Sequence, residues 1–284
     1  MIISASYRSD IPAFHGDWFL AALAAGTVAV TNPHNQRPYT VDLRPGAVGG
    51  YVFWTRNARP FARALAAVAA QGKPFVVQYT IIGYPRAIDA NVIDPQLAIA
   101  NARAIADAYG ARVVVWRYDP ILLTPATDAD WHRANFARRA DAMAGVTDEV
   151  VVSFAQIYAK SARNLATAGI AWRQADLDEQ AALIAEFRAL AAQRGIALTL
   201  CTQADLSAAS GVPGARCVDA ERLAAIAGRP IAAAHKGNRP GCLCAESRDI
   251  GAYDTCVHGC RYCYAVGDHE AARRRLRLGR RSAG

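Results

Sequence analysis

Seven cysteines occur among 284 residues, and five of them fall between Cys242 and Cys263. The last three are spaced C-x3-C-x2-C, in Cys256-Val-His-Gly-Cys260-Arg-Tyr-Cys263. Thiols this close in sequence can converge on one side of a metal centre. Thiolate is a soft ligand, suited to zinc or iron–sulfur rather than to magnesium or calcium. A structural zinc ion is normally closed by four ligands, often in C-x2-C pairs. Cys242-Leu-Cys244 offers such a fourth ligand, a separate metal site or a redox pair. Zinc and iron–sulfur therefore both stand, with Cys256, Cys260 and Cys263 as first ligands and Cys242 and Cys244 behind them. A disulfide framework fits less well: the count is odd, and the first residues lack the basic and apolar regions of a secretory leader. Cys201 and Cys217 end apolar runs and read as core packing. His258, inside the loop, reads as orienting it, Asp249 as bracing it, and Arg248 as balancing thiolate charge.

The spacing, with Tyr262 directly before the third cysteine, resembles the cluster motif of radical S-adenosylmethionine (SAM) enzymes. There, three cysteines hold three irons of a [4Fe–4S] cluster, and the fourth iron takes the amino and carboxylate groups of SAM. The stretch from Tyr253 to Ala265 is similar to the cluster loop of the spore-photoproduct-lyase-like branch. Over nearly the whole chain the sequence resembles a bacterial domain-of-unknown-function family, number 1848. The matching stretches are Ile3–Pro12, Val52–Asn57, Val115–Ile121 and Ser247–Tyr253 with the cysteines that follow. The radical SAM resemblance implies a [4Fe–4S] cluster and SAM as cofactors, and an electron donor such as flavodoxin or ferredoxin. Its substrate would be a small molecule or nucleic-acid-derived. One departure stands out: the loop usually follows the first barrel strand, and here it lies near the C-terminus.

Such a loop needs a scaffold, and the chain alternates short apolar runs with amphipathic segments. The predicted strands are Ile2–Ser6, Thr27–Thr31, Tyr51–Thr55, Phe75–Thr80, Arg112–Arg117, Val150–Phe154, Ala197–Cys201 and Arg216–Val218, with a short Val41–Leu43 in a long loop. Between them the periodicity and the end signals predict helices over Asp17–Ala25, Pro60–Gln71, Pro95–Tyr109, Ala129–Ala144, Leu177–Arg194 and Asp219–Ala227. Eight apolar strands alternating with helices predict an α/β fold, a (β/α)8 TIM-type barrel or close relative, over residues 1–228. An open doubly wound sheet is the alternative, but no G-x-G-x-x-G follows the first strand. Residues 229–265 read as a cysteine-rich, metal-binding extension and 266–284 as a basic tail. In a closed barrel the last strand neighbours the first, so a C-terminal loop can occupy the usual place.

Barrel chemistry sits at the C-terminal ends of strands. Arg8, Asp10, Arg56, Asn57, Gln78, Arg117 and Asp119 follow or end apolar runs there. With Tyr262 they are the predicted cofactor-binding residues. An arginine beside an acid just after a strand is costly to half-bury unless it is paired or binds something, and arginine suits a carboxylate through two parallel bonds. No apolar run is long enough for a membrane span, so a soluble cytoplasmic protein is expected. The net charge is +8; the tail, with Arg273, Arg274, Arg275, Arg277, Arg280 and Arg281 against Asp268 and Glu270, carries +4 of it. A second function class follows: a structural zinc or iron–sulfur module that binds nucleic acid through this tail. A solvated helix or frayed end explains the tail equally well.

Overall fold

The computed structural model of the chain describes residues 1–33 and 35–281. The side chains of residues 278–281, Arg280 and Arg281 among them, and residues 282–284 lie outside that part. In order, the elements are β1 (Ile2–Ala5), α1 (Ile11–Phe14), α2 (Gly16–Ala25), β2 (Thr27–Thr31), β3 (Pro38–Asp42), β4 (Gly50–Thr55), α3 (Ala62–Ala70), β5 (Phe75–Thr80), α4 (Pro95–Tyr109) and β6 (Val114–Ile121). There follow α5 (Ala129–Met143), β7 (Glu149–Phe154), α6 (Ala159–Thr167), α7 (Leu177–Ala192), β8 (Ala197–Leu200), α8 (Ala204–Ser210), α9 (Ala220–Ala227), β9 (Ser247–Asp249) and α10 (His269–Arg281). Helix starts follow their capping residues: the carboxylates of Asp94, Asp128, Asp176 and Asp219 accept first-turn amides of α4, α5, α7 and α9.

Seven strands form one parallel sheet in the order β8-β7-β6-β5-β4-β1-β9. From β1 to β8 each new strand of this sheet adds on the same side. Its strands are buried almost throughout, as both faces of a helix-covered parallel sheet must be. The sequence predicts eight strands, and two of them fall elsewhere. Thr27–Thr31 pairs antiparallel with β3 in a separate hairpin; its residues alternate exposed and buried, the pattern of a half-covered strand. Residues 216–218 form no strand. Instead the adjoining chain bonds to β8 through Leu200 N to Pro213 O at 3.0 Å and Ala215 N to Leu200 O at 2.7 Å. The seventh strand is Ser247–Asp249, which the sequence assigned to the extension and which pairs with β1.

One core lies between this sheet and the helices, with Phe19, Phe53, Phe61, Trp116, Phe136 and Phe187 among its largest side chains. A second lies on the other face. Ile2, Val52, Val76, Val115 and Val151, one from each of five strands, meet Ala215, Cys217, Val218, Leu223 and Cys244 there.

Buried histidine makes the first core sensitive to acid. The His132 ring of α5 is held between Tyr118 Oη (2.9 Å) and the Leu122 carbonyl (3.2 Å). Burial holds its pKa down to about 4, against a smaller opposing effect of that carbonyl. The unfolded chain, with an ordinary histidine near 6.5, binds the proton first. Stability is therefore lost as pH falls from about 6.5 towards 4, by about 3 kcal/mol in full. Urea unfolding at pH 7 and pH 4 should show this loss, and His132→Gln should lose less over the same range. Equal losses in both proteins would remove His132 as the cause.

Candidate metal centre

Asp10 is where the cysteine loop meets the sheet. It follows β1 and caps α1, accepting from the amide of Ala13 at 2.9 Å. The same carboxylate accepts from Thr55 Oγ1 (2.8 Å) and the Arg56 amide (2.7 Å) at the end of β4. Its fourth partner is His258 Nε2, at 2.7 Å. One buried carboxylate thus ties together the ends of two strands and the middle of the C-x3-C turn. The loop also leans on the segment after β5. The Asn91 amide donates to His258 O and the Arg261 amide to Ile88 O, at 2.8 and 2.9 Å. Gly259 lies in this contact with a positive φ of +72°, and a Cβ there would meet Asn91 and Ala90 at 3.1 and 3.2 Å. Both the left-handed backbone and the close approach call for glycine. Thr255 Oγ1 to Ser9 Oγ (2.7 Å) and Tyr264 Oη to Tyr7 O (2.7 Å) close the loop over the residues after β1.

Cys256, Cys260 and Cys263 are free thiols; Cys260 is buried and the other two keep part of their surface in solvent. Burial pushes all three pKa values up, and neighbouring thiols add to the rise at Cys256 and Cys260. Donors surround the sulfurs: Arg56 Nη1 reaches Cys260 Sγ at 3.0 Å, and the Ala265 amide reaches Cys263 Sγ at 3.3 Å. Arg56 also donates to Tyr262 Oη at 2.5 Å and pairs with Asp89, Nη2 to Oδ2, at 2.8 Å. Burial alone lowers the Arg56 pKa; Asp89, Cys260 and Tyr262 outweigh it and hold the guanidinium charged. Asp89 carries no motif in the sequence, yet it is the buried countercharge of the site.

The remaining predicted residues divide between two places. Arg8 lies beside Tyr7 and Tyr253, its guanidinium carbon 5.3 and 5.8 Å from their ring centres. Its Nη2 donates to Tyr7 Oη, and its Nη1 is buried with no hydrogen-bond partner among the described residues. Asp249, which ends β9, accepts from Ser4, Ser6 and the amides of Tyr7 and Gly251 at 2.7–3.0 Å, fixing the loop's approach to β1. Asn57 stays apart: its side chain accepts from the Arg59 amide in its own turn. Gln78, Arg117 and Asp119 belong to a different group. Arg117 Nη1 donates to Gln78 Oε1 and Cys217 Sγ, at 3.1 and 3.0 Å, and its other nitrogen pairs with Asp119.

Cys242 and Cys244 also go to this second group. Cys244 is buried in one cluster with Cys217, and Cys242 packs against that cluster. Arg248 is exposed and lines a groove of about 770 Å³ with Met1, Ile2 and Glu221. That groove opens at the N-terminal ends of β1 and β9 and has none of the loop's cysteines in its lining, so Arg248 does not balance the loop's charge. Among the described residues no three histidine, cysteine or carboxylate groups already surround a point that would hold a single metal ion. Nor is any helix among them long and apolar enough to cross a membrane.

The site and scaffold define an α/β protein whose C-terminal cysteine loop is bolted over the ends of a parallel sheet. A family model described as a domain of unknown function (DUF1848) matches residues 2–265, and the chain belongs to that family. No curated protein and no solved structure matches it. The family match ends where the basic tail begins. In that tail Arg273, Arg274, Arg275 and Arg277 are exposed.

Proposed function

We propose that Cys256, Cys260 and Cys263 hold an iron–sulfur cluster with one iron left open for SAM, in a radical-SAM-type enzyme. The supporting observation is the setting of the three thiols. They lie together at the C-terminal end of a parallel sheet, with Arg56 and backbone amides donating to sulfur. Apart from metal, three crowded thiols resist ionisation; a cationic cluster supplies the missing compensation, and the N–H···S donors suit thiolate ligands. When bound, such a cluster supplies an electron to SAM and so starts hydrogen-abstraction chemistry. The chain's own groups bind and orient. Arg8, with its unpartnered buried Nη1, receives the carboxylate of SAM. Asp10 and His258 hold the loop in register, and Tyr262 with Arg56 walls off Cys260 from water.

The reading includes a sheet curled into a barrel. Five apolar side chains from five successive strands share one cluster, and residues 213–218 bond to both sides: β8 through Pro213 and Ala215, and the approach to β9 through Val218 O from the Ala245 amide. In that arrangement the loop after the last strand lies beside the residues after the first.

The test uses protein purified and reconstituted without oxygen. The EPR spectrum of the reduced protein should change when SAM is added. The change should vanish in Cys256→Ser/Cys260→Ser/Cys263→Ser. Arg8→Gln should keep the loop's iron but weaken the SAM response at least several-fold. A spectrum indifferent to SAM, or zinc in the loop, would overturn the proposal.

A further inference from the structure

The seven cysteines divide without remainder into the three of the loop and four others. Cys201 follows β8 and lies 3.8 Å, sulfur to sulfur, from Cys217. Cys217 and Cys244 are buried in one cluster against which Cys201 and Cys242 pack, and the Cys244 side chain interacts with both Cys217 and Cys242. These four come from three separate segments: the end of β8, residues 213–218, and the approach to β9. Packing alone needs apolar groups of the right size, not sulfur at four touching positions. Hydrogen-bond donors add a second sign. Arg117 Nη1 points to Cys217 Sγ at 3.0 Å, the Val218 amide to Cys244 Sγ at 3.3 Å, and Arg239 Nη2 to Cys201 Sγ at 3.8 Å. A buried guanidinium, an exposed one and an amide directed at sulfur form the kind of outer layer that supports thiolate ligands.

We propose that Cys201, Cys217, Cys242 and Cys244 form a second site for a soft metal centre, a zinc ion or an iron–sulfur cluster held by four thiolates. The proposal stands apart from the reading of the loop. Four thiolates close a site, whereas three leave one position open. The chain thus carries one set of each kind. The four sulfurs touch in a chain rather than around one point, so binding draws the outer two inward. Those two, Cys201 and Cys242, are half-exposed, while Cys217 and Cys244 are buried; side-chain rotation is easiest where it is needed. Gly237 makes room for the turn that carries Cys242: a Cβ there would meet Cys242 O at 2.3 Å.

The location gives the site a task. Cys201 follows one edge strand of the sheet, β8, and Cys244 precedes the other, β9. A metal on all four thiolates ties the two edges together, with Cys217 between them. Arg117, which donates to Cys217 Sγ, also pairs with Asp119.

The test is the metal content of Cys256→Ser/Cys260→Ser/Cys263→Ser, prepared without oxygen. This protein should retain a stoichiometric metal: zinc without acid-labile sulfide, or iron with it. The first outcome identifies a structural ion, the second a cluster, and either supports the site. A folded variant with no bound metal would overturn it. If that variant does not fold, the wild-type protein is alkylated before and after treatment with a chelator, and peptides are weighed. The four thiols should be protected until the chelator is added. Ready alkylation beforehand, or a disulfide among them, would equally overturn the site. Failure of the loop reading would look different: a SAM-blind spectrum with these four thiols still protected.

Discussion

Replacing Arg56 by methionine should cost the protein about 3–5 kcal/mol of folding free energy. Arg56 is buried at the end of β4, and its partner Asp89, with a side chain only 3% exposed, is buried as deeply. Taking away the guanidinium leaves that carboxylate in a poorly solvating environment with its countercharge gone. It also removes the donor of Cys260 Sγ and Tyr262 Oη. The size of the effect comes from the abandoned charge rather than from the worth of the pair. Arg56→Met/Asp89→Leu should therefore recover most of the loss, because removing both partners of a buried pair is far cheaper than removing one. Urea unfolding of the two variants measures this; a double variant as unstable as the single would sink the argument. In reconstituted protein the single change should also move the reduction potential of the proposed cluster in the negative direction. It deletes both a positive charge and an N–H···S bond, and a potentiometric titration reads the shift.

The contrast between what the residues disclosed and what they hid follows from range. Apolar runs such as Tyr51–Thr55 and Phe75–Thr80 announce buried strands because both faces must be covered. Pro95–Tyr109 is bounded by a capping Asp94 and a closing Gly110, both local signals. Thr27–Thr31 was misassigned to the main sheet although its alternating residues showed a half-exposed strand. The strand at Ser247–Asp249 has no apolar run at all; it is held by pairing with β1 and by Asp249 reaching Ser4 and Ser6 across more than 240 residues. The C-x3-C-x2-C spacing is visible because its cysteines are neighbours in the chain. Cys201, Cys217 and the Cys242–Cys244 pair are separated by up to 43 positions, so only the fold shows that they touch. Asp89 is hidden for the same reason: its pairing with Arg56 spans 33 residues, and Asp89, unlike Arg56, sits in no matching stretch.

Asp10→Asn, the smallest possible change at the hub, should cost about 3 kcal/mol and release the cysteine loop. The carboxylate receives four donors, two on each oxygen: Ala13 N and Thr55 Oγ1 on one, Arg56 N and His258 Nε2 on the other. An asparagine must turn its NH2 towards one pair. Thr55 can rotate its hydroxyl to accept, and His258 can change tautomer. The amides of Ala13 and Arg56 can do neither. Whichever way the side chain faces, one backbone N–H meets another donor and loses its partner, and the bonds that remain lose their ionic character. With His258 less firmly held, Cys256 and Cys260 are no longer kept in register. The protein should unfold at lower urea concentration and surrender the metal proposed for its loop to a chelator several-fold faster than wild type. Asp10→Glu should not rescue it, since the longer arm displaces all four contacts. A stable Asp10→Asn protein with unchanged metal release would mean that the loop is held by the Asn91 and Arg261 backbone bonds instead.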